Sequence, residues 1–170
     1  VLDSARLKEA LGAHLDVDPR NVHAYIIGEH GDSELAVWSS ANVSGVPLSD
    51  FCEMRGHYDH LASEKRIADD VKNAAYNIIS KKHATYYGIA MSVRRLCTAI
   101  MRDEKHILPV SSLMVGEYGL DDICISMPTI VGRNGVECRV PVSLSNEEYA
   151  ELHRSADALK EVMSNVDFEA

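Results

Sequence analysis

Apolar positions recur at helical spacing from the first residues of the chain. Leu7, Leu11 and Leu15 stand four apart, which predicts a helix from about Ser4 to His14. The stretch Val17-Asp18-Pro19-Arg20-Asn21 ends it, because the residue before a proline is pushed out of helical backbone. From Val22 to Gly28 the periodicity gives way to a run rich in Val, Tyr and Ile, which reads as a strand. Ser39 to Phe51, with Gly45 and Pro47, reads as mixed loop and short turn. A long helix then spans about Ala62 to Lys81, with Ile67, Val71, Ala74 and Ile78 on one face. A second runs from about Thr85 to Arg102, striped by Ile89, Val93, Leu96 and Ile100.

Beyond these helices the pattern favours strands over Ile107–Val115, Ile123–Val131 and Val136–Val142. Asn134-Gly135 marks a hairpin between the last two. Pro109, Pro128 and Pro141 each lack a ladder donor, so they belong at strand ends, edges or bulges. In "SNEE", Ser145 and Glu148 form a capping box that opens a final helix carrying Leu152, Ala156, Leu159 and Met163. Helices and an antiparallel meander follow one another in blocks rather than alternating. The fold class is therefore α+β, with long helices packed on the meander.

At 170 residues the chain is most simply one domain, 1–170, with 46% hydrophobic and 25% charged residues. A net charge of −9 argues against nucleic acid, which needs a basic footprint. No apolar run approaches the roughly 18 residues of a membrane span. Cys52, Cys97, Cys124 and Cys138 are scattered, with no C-x-x-C pair. Together with the lack of a secretory leader, this reads as reduced thiols in a cytoplasmic protein. No Gly-x-Gly-x-x-Gly follows a strand and no P-loop is present, so no nucleotide-binding half is legible. An opening on Val1, already helical in pattern, suggests a fragment or processed chain.

The chemistry concentrates in a few residues. In "GEHGDSE" a histidine, His30, stands between two glycines and among acids at the end of a strand, where rigid scaffolds present reactive groups. An imidazole there can carry a proton in either direction near neutral pH. In "DSAR", Asp3 and Arg6 project from one helix face. A surface ion pair is the plainer account of that pair, and a carbonyl-bonded loop residue the plainer account of His30. Alternatively, Arg6 grips a carboxylate with two parallel hydrogen bonds while Asp3 fixes the tautomer of a histidine. The sequence His57-Tyr58-Asp59-His60 has two imidazoles and an acid but no third ligand at characteristic spacing, so no metal is assigned.

In that order, "VLDSAR", "VHAYIIGEHGDSE" and "KKHATYYGIA" resemble the C-terminal catalytic domain of L-lactate dehydrogenases, the bacterial form above all. The likeness extends over essentially the whole chain, and Glu29 before the histidine suits lactate better than malate dehydrogenases. The resemblance implies that His30 exchanges a proton with the substrate oxygen and that Asp3 orients it. It also implies that Arg6 binds the substrate carboxylate, that Thr85 lines the pocket, and that Ile89 packs against the nicotinamide of NAD. A core residue remains an equal account of Ile89, and a helix N-cap a live account of Thr85.

In relatives activated by fructose 1,6-bisphosphate, an arginine and a histidine hold its phosphates. Lys8 and His23 occupy those positions, and lysine keeps the charge without the planar fork. His83 stands where the family usually has glycine, so its ring either narrows the pocket or points into solvent. The NAD-binding domain and a mobile loop that selects lactate over malate would precede this region. The expectation is thus the catalytic domain of an NAD-dependent L-lactate dehydrogenase acting on pyruvate and lactate, homo-oligomeric and inactive alone. A malate or other 2-hydroxyacid dehydrogenase domain, and a non-catalytic oligomerisation or effector-binding module, stay open.

Overall fold

The computed structural model describes residues 1–166. Helix α1 (Leu2–Leu15) is followed by a 3-10 turn over Pro19–Asn21. Strands β1 (Val22–Ile27), β2 (Leu35–Val43) and β3 (Val46–Pro47) come next. Three helices then succeed one another: α2 (Leu48–Met54), α3 (His60–Lys82) and α4 (Tyr87–Met101). Strands β4 (His106–Val115), β5 (Asp121–Gly132) and β6 (Gly135–Arg139) lead to the closing helix α5 (Asn146–Ser164). Every strand pair is antiparallel, in two three-stranded sheets ordered β1-β2-β3 and β4-β5-β6. The architecture is the α+β arrangement expected from the order of elements.

Leu7, Leu11 and Leu15 are fully buried, as their spacing predicts, against Val22, Ala24 and Val43 of the first sheet and Ile67 and Val71 of α3. Each such leucine contributes about 2–3 kcal/mol by leaving water. A second core joins Ile27 and Val37 to Ile123, Ile125 and Met127 of β5 and to Leu152 and Ala156 of α5.

Three expectations need correction. Residues 39–43 are not loop but the second half of β2, which pairs with β1 from Val22↔Val43 to Ile27↔Leu35; only 44–51 turns, into β3 and α2. The two serines at 39 and 40 interrupt the apolar pattern because Ser39 binds Glu148 instead of facing a core. Pro128 lies inside the central strand β5, directly opposite Pro109 on the edge strand β4. Two prolines can face each other only at a pair that exchanges no hydrogen bonds, so neither missing donor breaks the β4–β5 ladder. Finally, the stripe of α4 is largely uncovered: Ala99 is buried, whereas Ile89, Val93 and Ile100 are exposed.

The two sheets are tied where the site lies. Gly28 N donates to Ser126 O at 3.0 Å and Ser126 N returns a bond to Gly28 O at 2.9 Å. Gly28 has φ +93°, and a Cβ there would stand 2.8 Å from Ser155 Oγ, so only glycine lets β1 leave its sheet at this angle.

Candidate active site

Ser4 fixes the first turn of α1 to the end of β1. Its hydroxyl accepts from Ile26 N at 2.8 Å and faces Ile26 O at 3.4 Å, and it is buried. Asp3, one residue earlier, is thereby held level with the loop that follows β1. That loop is braced from beneath. Glu29 N donates to Ser155 Oγ at 2.8 Å, Ser33 Oγ donates to the Glu29 carboxylate, and Glu34 N closes a turn onto Gly31 O at 3.2 Å.

On this frame three sequence-distant groups meet. Asp3 Oδ1 accepts from Arg6 Nη1 at 2.8 Å, and Asp3 Oδ2 lies 3.1 Å from His30 Nδ1. The Asp3 side chain is only 13% exposed while that of His30 is 84% exposed, so a shielded carboxylate holds an imidazole that stays open to the outside. With Nδ1–H given to Asp3, Nε2 is the nitrogen left to exchange a proton. The i, i+3 pair of α1 is therefore more than a surface ion pair, because its carboxylate divides its two oxygens between the Arg6 guanidinium and the His30 imidazole.

Asp3, Arg6, His30, Glu34, Thr85 and Ile89 line one cleft of about 280 Å³. A neighbouring cleft of about 340 Å³ shares Asp3, His30, Glu34 and Ile89 and continues over Val93 and Leu96. Thr85 is not a helix cap: α4 begins at Tyr87 with Tyr86 as its N-cap, and Thr85 stands in the connection before it. Ile89 is 49% exposed, which removes the core-residue account. His83 takes the left-handed conformation that ends α3, φ +61°, and is exposed, so its ring points to solvent. A glycine would adopt that backbone without the Cβ penalty.

Glu34 is a residue of the "GEHGDSE" stretch to which the sequence reading gave no role. It is half-buried, and burial together with the Asp3 carboxylate pushes its own carboxyl up to about 7; Lys72 and Arg6 pull the other way. The signal available in the sequence was its place immediately before the apolar run Leu35-Ala36-Val37, which draws it into the wall of the cleft. Asp3, His30 and Glu34 each offer a ligand atom within 4.8 Å of the others, the one such trio among the described residues. Arg6 already balances Asp3 there. The other histidines considered do not assemble a metal set: His60 Nε2 faces Glu53 Oε1 at 3.5 Å and the His57 ring packs on His14 at 4.3 Å.

Lys8 and His23 come together in a separate cleft of about 770 Å³, with Arg20, Tyr25, Lys105 and His106. Lys8 Nζ sits 5.3 Å above the Tyr25 ring, and burial lowers its proton affinity. Arg20 is bound to Asp18, and Lys105 to Glu137 and Asp103. No helix among the described residues is long and apolar enough to cross a membrane. Cys52 is buried, and Cys97, Cys124 and Cys138 are exposed.

Residues 1–169 match the lactate/malate dehydrogenase α/β C-terminal domain. The L-lactate dehydrogenase of Acetivibrio thermocellus is 50% identical over 167 residues, 98% of this chain and 53% of that protein. That of Bacillus velezensis is 48% identical over 163 residues, 96% of this chain and 51% of that protein. The crystal structure of the minor L-lactate dehydrogenase from Enterococcus mundtii in its ligands-bound form superposes with a TM-score of 0.92 at 45% identity. It covers 99% of this chain and 53% of its own. The chain spans about half the length of the relatives it matches. By sequence and by fold, it belongs to the lactate/malate dehydrogenase family as its C-terminal domain.

Proposed function

We propose that this chain is the substrate-binding and catalytic half of an NAD-dependent L-lactate dehydrogenase that interconverts pyruvate and L-lactate. The observation that carries the reading is the Asp3 carboxylate shared between Arg6, at 2.8 Å, and His30, at 3.1 Å, in a cleft that also holds Thr85. Arg6 receives the substrate carboxylate through its planar fork. Asp3 fixes the His30 tautomer and stabilises the imidazolium. Protonated His30 gives its proton to the carbonyl oxygen as negative charge develops there, and neutral His30 takes the hydroxyl proton in the reverse direction. Reduction consumes a proton, so it is favoured at lower pH than oxidation. The exposed apolar side chains of Ile89 and Val93, with the partly buried Leu96, line the cleft that His30 also lines and suit a flat ring, and a nicotinamide held there would supply the hydride.

The net charge of −9 fits a cytoplasmic protein of small-molecule metabolism with no nucleic-acid partner. Apolar side chains exposed away from the site, Leu113, Val115 and Val162 among them, fit a homo-oligomer, a tetramer in this reading, with the 170 residues inactive alone. A regulatory reading adds to the catalytic one. Lys8 and His23 share one cleft, which suits the phosphates of fructose 1,6-bisphosphate.

The test is to join the chain behind the nucleotide-binding half of the Acetivibrio thermocellus relative and follow NADH oxidation by pyruvate. Turnover that falls by about 10²–10⁴-fold in His30→Ala is the expected result. A His30→Ala protein within tenfold of the parent would overturn the assignment.

A further inference from the structure

Glu34 holds a position that the proton-transfer account leaves unused. It lines the substrate cleft, the apolar cleft beside it, and a third cleft of about 560 Å³ behind them that contains Trp38, Asp69, Glu147 and Glu151. Its carboxyl thus stands in the partition between the substrate space and an acid-lined space. Its backbone cannot drift, since Glu34 N is bonded to Gly31 O and Leu35 pairs with Ile27.

The charged groups around it come from every packed element. The amino terminus supplies the Val1 ammonium, helix α1 Asp3 and Arg6, the loop Glu29, His30 and Asp32, α3 Asp69 and Lys72, and α5 Glu147, Glu148 and Glu151. The three nearby cations are engaged elsewhere: Arg6 pairs with Asp3, the Lys72 ammonium donates to Asp32 O, and the Val1 ammonium donates to Pro109 O at 3.0 Å. Among the described residues, no cation makes an ion pair with Glu34.

We propose that Glu34 is a specificity-determining residue: the charge on its carboxyl sets how tightly the cleft holds an anionic substrate and how strongly it rejects a second carboxylate. This deepens the 2-oxo-acid reading and rests on it. With Glu34 neutral, Arg6 and Lys72 balance Asp3 and Asp32 and the fixed charges of the cleft cancel. With Glu34 ionised, the cleft is net negative and a bare carboxylate faces the incoming one. Because burial and Asp3 hold this carboxyl up to about 7, the change falls in the neutral range. Coulomb attraction scales with ligand charge, so a dicarboxylate feels the change about twice as strongly in logarithmic terms as a monocarboxylate.

The experiment uses the fused protein described above and measures KM for pyruvate and for oxaloacetate at pH 6 and pH 8. For pyruvate, the ratio of KM at pH 8 to KM at pH 6 is expected to be about 3- to 10-fold smaller in Glu34→Gln than in the parent. For oxaloacetate the corresponding factor is about the square of that, and Glu34→Asp restores the parent ratios. Equal factors for the two substrates, or ratios untouched by Glu34→Gln, overturn the proposal, since a purely structural role would not scale with substrate charge. In the 170-residue chain itself, the carbon-13 signal of the Glu34 carboxyl should titrate with a midpoint near 7. A midpoint in the ordinary carboxylate range overturns it independently of turnover. Failure of the 2-oxo-acid reading shows separately, as turnover that does not depend on His30.

Discussion

The clearest energetic consequence of the site is a stability that depends on pH through one carboxyl. Glu34 is lifted from the ordinary 4.5 to about 7 by burial and by Asp3. At about 1.4 kcal/mol per pH unit, that displacement corresponds to about 3.4 kcal/mol of strain on the ionised form. The side chain is only half-buried, so water screens roughly half of this, leaving about 1.5–2 kcal/mol. The sign follows from which state binds the proton more tightly. Below pH 4.5 the group is protonated both folded and unfolded, and contributes no strain. Between pH 4.5 and 7 the unfolded chain ionises while the folded one resists, so native stability falls across that window. Above 7 the full strain is present.

Glu34→Gln removes the charge at nearly constant shape. Urea unfolding followed by circular dichroism should show the variant equal to the parent at pH 4.5 and about 1.5–2 kcal/mol more stable at pH 8.5. A difference that is the same at both pH values, or a variant less stable at pH 8.5, would refute the account of Glu34 as an unpaired carboxylate.

Two further outcomes follow from the geometry. Glu148 Oε1 accepts from Trp38 N at 2.7 Å and from Ser39 N at 2.9 Å, while Oε2 accepts from Ser145 N at 2.8 Å. Glu148→Gln turns an NH₂ toward buried donors and should cost about 2–4 kcal/mol, seen as a drop in Tm of roughly 5–15 °C by calorimetry. Fructose 1,6-bisphosphate should bind the fused protein with an affinity that falls at least tenfold in His23→Ala and in Lys8→Ala, measured by titration calorimetry; heat unchanged by either substitution would remove the regulatory reading.

Much of this fold could be read from local pattern because the deciding signals were local. The leucine spacing of α1, the capping box at Ser145 and the Asn134-Gly135 turn each act over a few residues, and each is present. Gly135, at φ +83°, takes the left-handed conformation the turn needs. The first half of β2 and its extension to Val43 were less legible, because Ser39 interrupts its apolar run to meet Glu148, 109 residues away. The place of Pro128 depended on which residue faced it across the ladder, which no single strand reveals. The same distinction holds at the site. Asp3, Arg6 and His30 were nameable from motifs, but their meeting depends on Ser4 gripping Ile26 and Gly28 bridging to Ser126, both long-range contacts. Glu34 escaped notice because its character comes from burial in the cleft wall and from the carboxylate of Asp3, distant in sequence.

The central claim concerns where a small 2-oxo acid sits relative to three side chains. A crystal structure of the fused protein with NADH and oxamate, an unreactive mimic of pyruvate, tests it most directly. The account predicts the oxamate carboxylate on the Arg6 guanidinium, its carbonyl oxygen within hydrogen-bond reach of His30, and the His30–Asp3 contact retained. Oxamate lodged away from Arg6, or a His30 ring turned off Asp3 in the bound state, would contradict it.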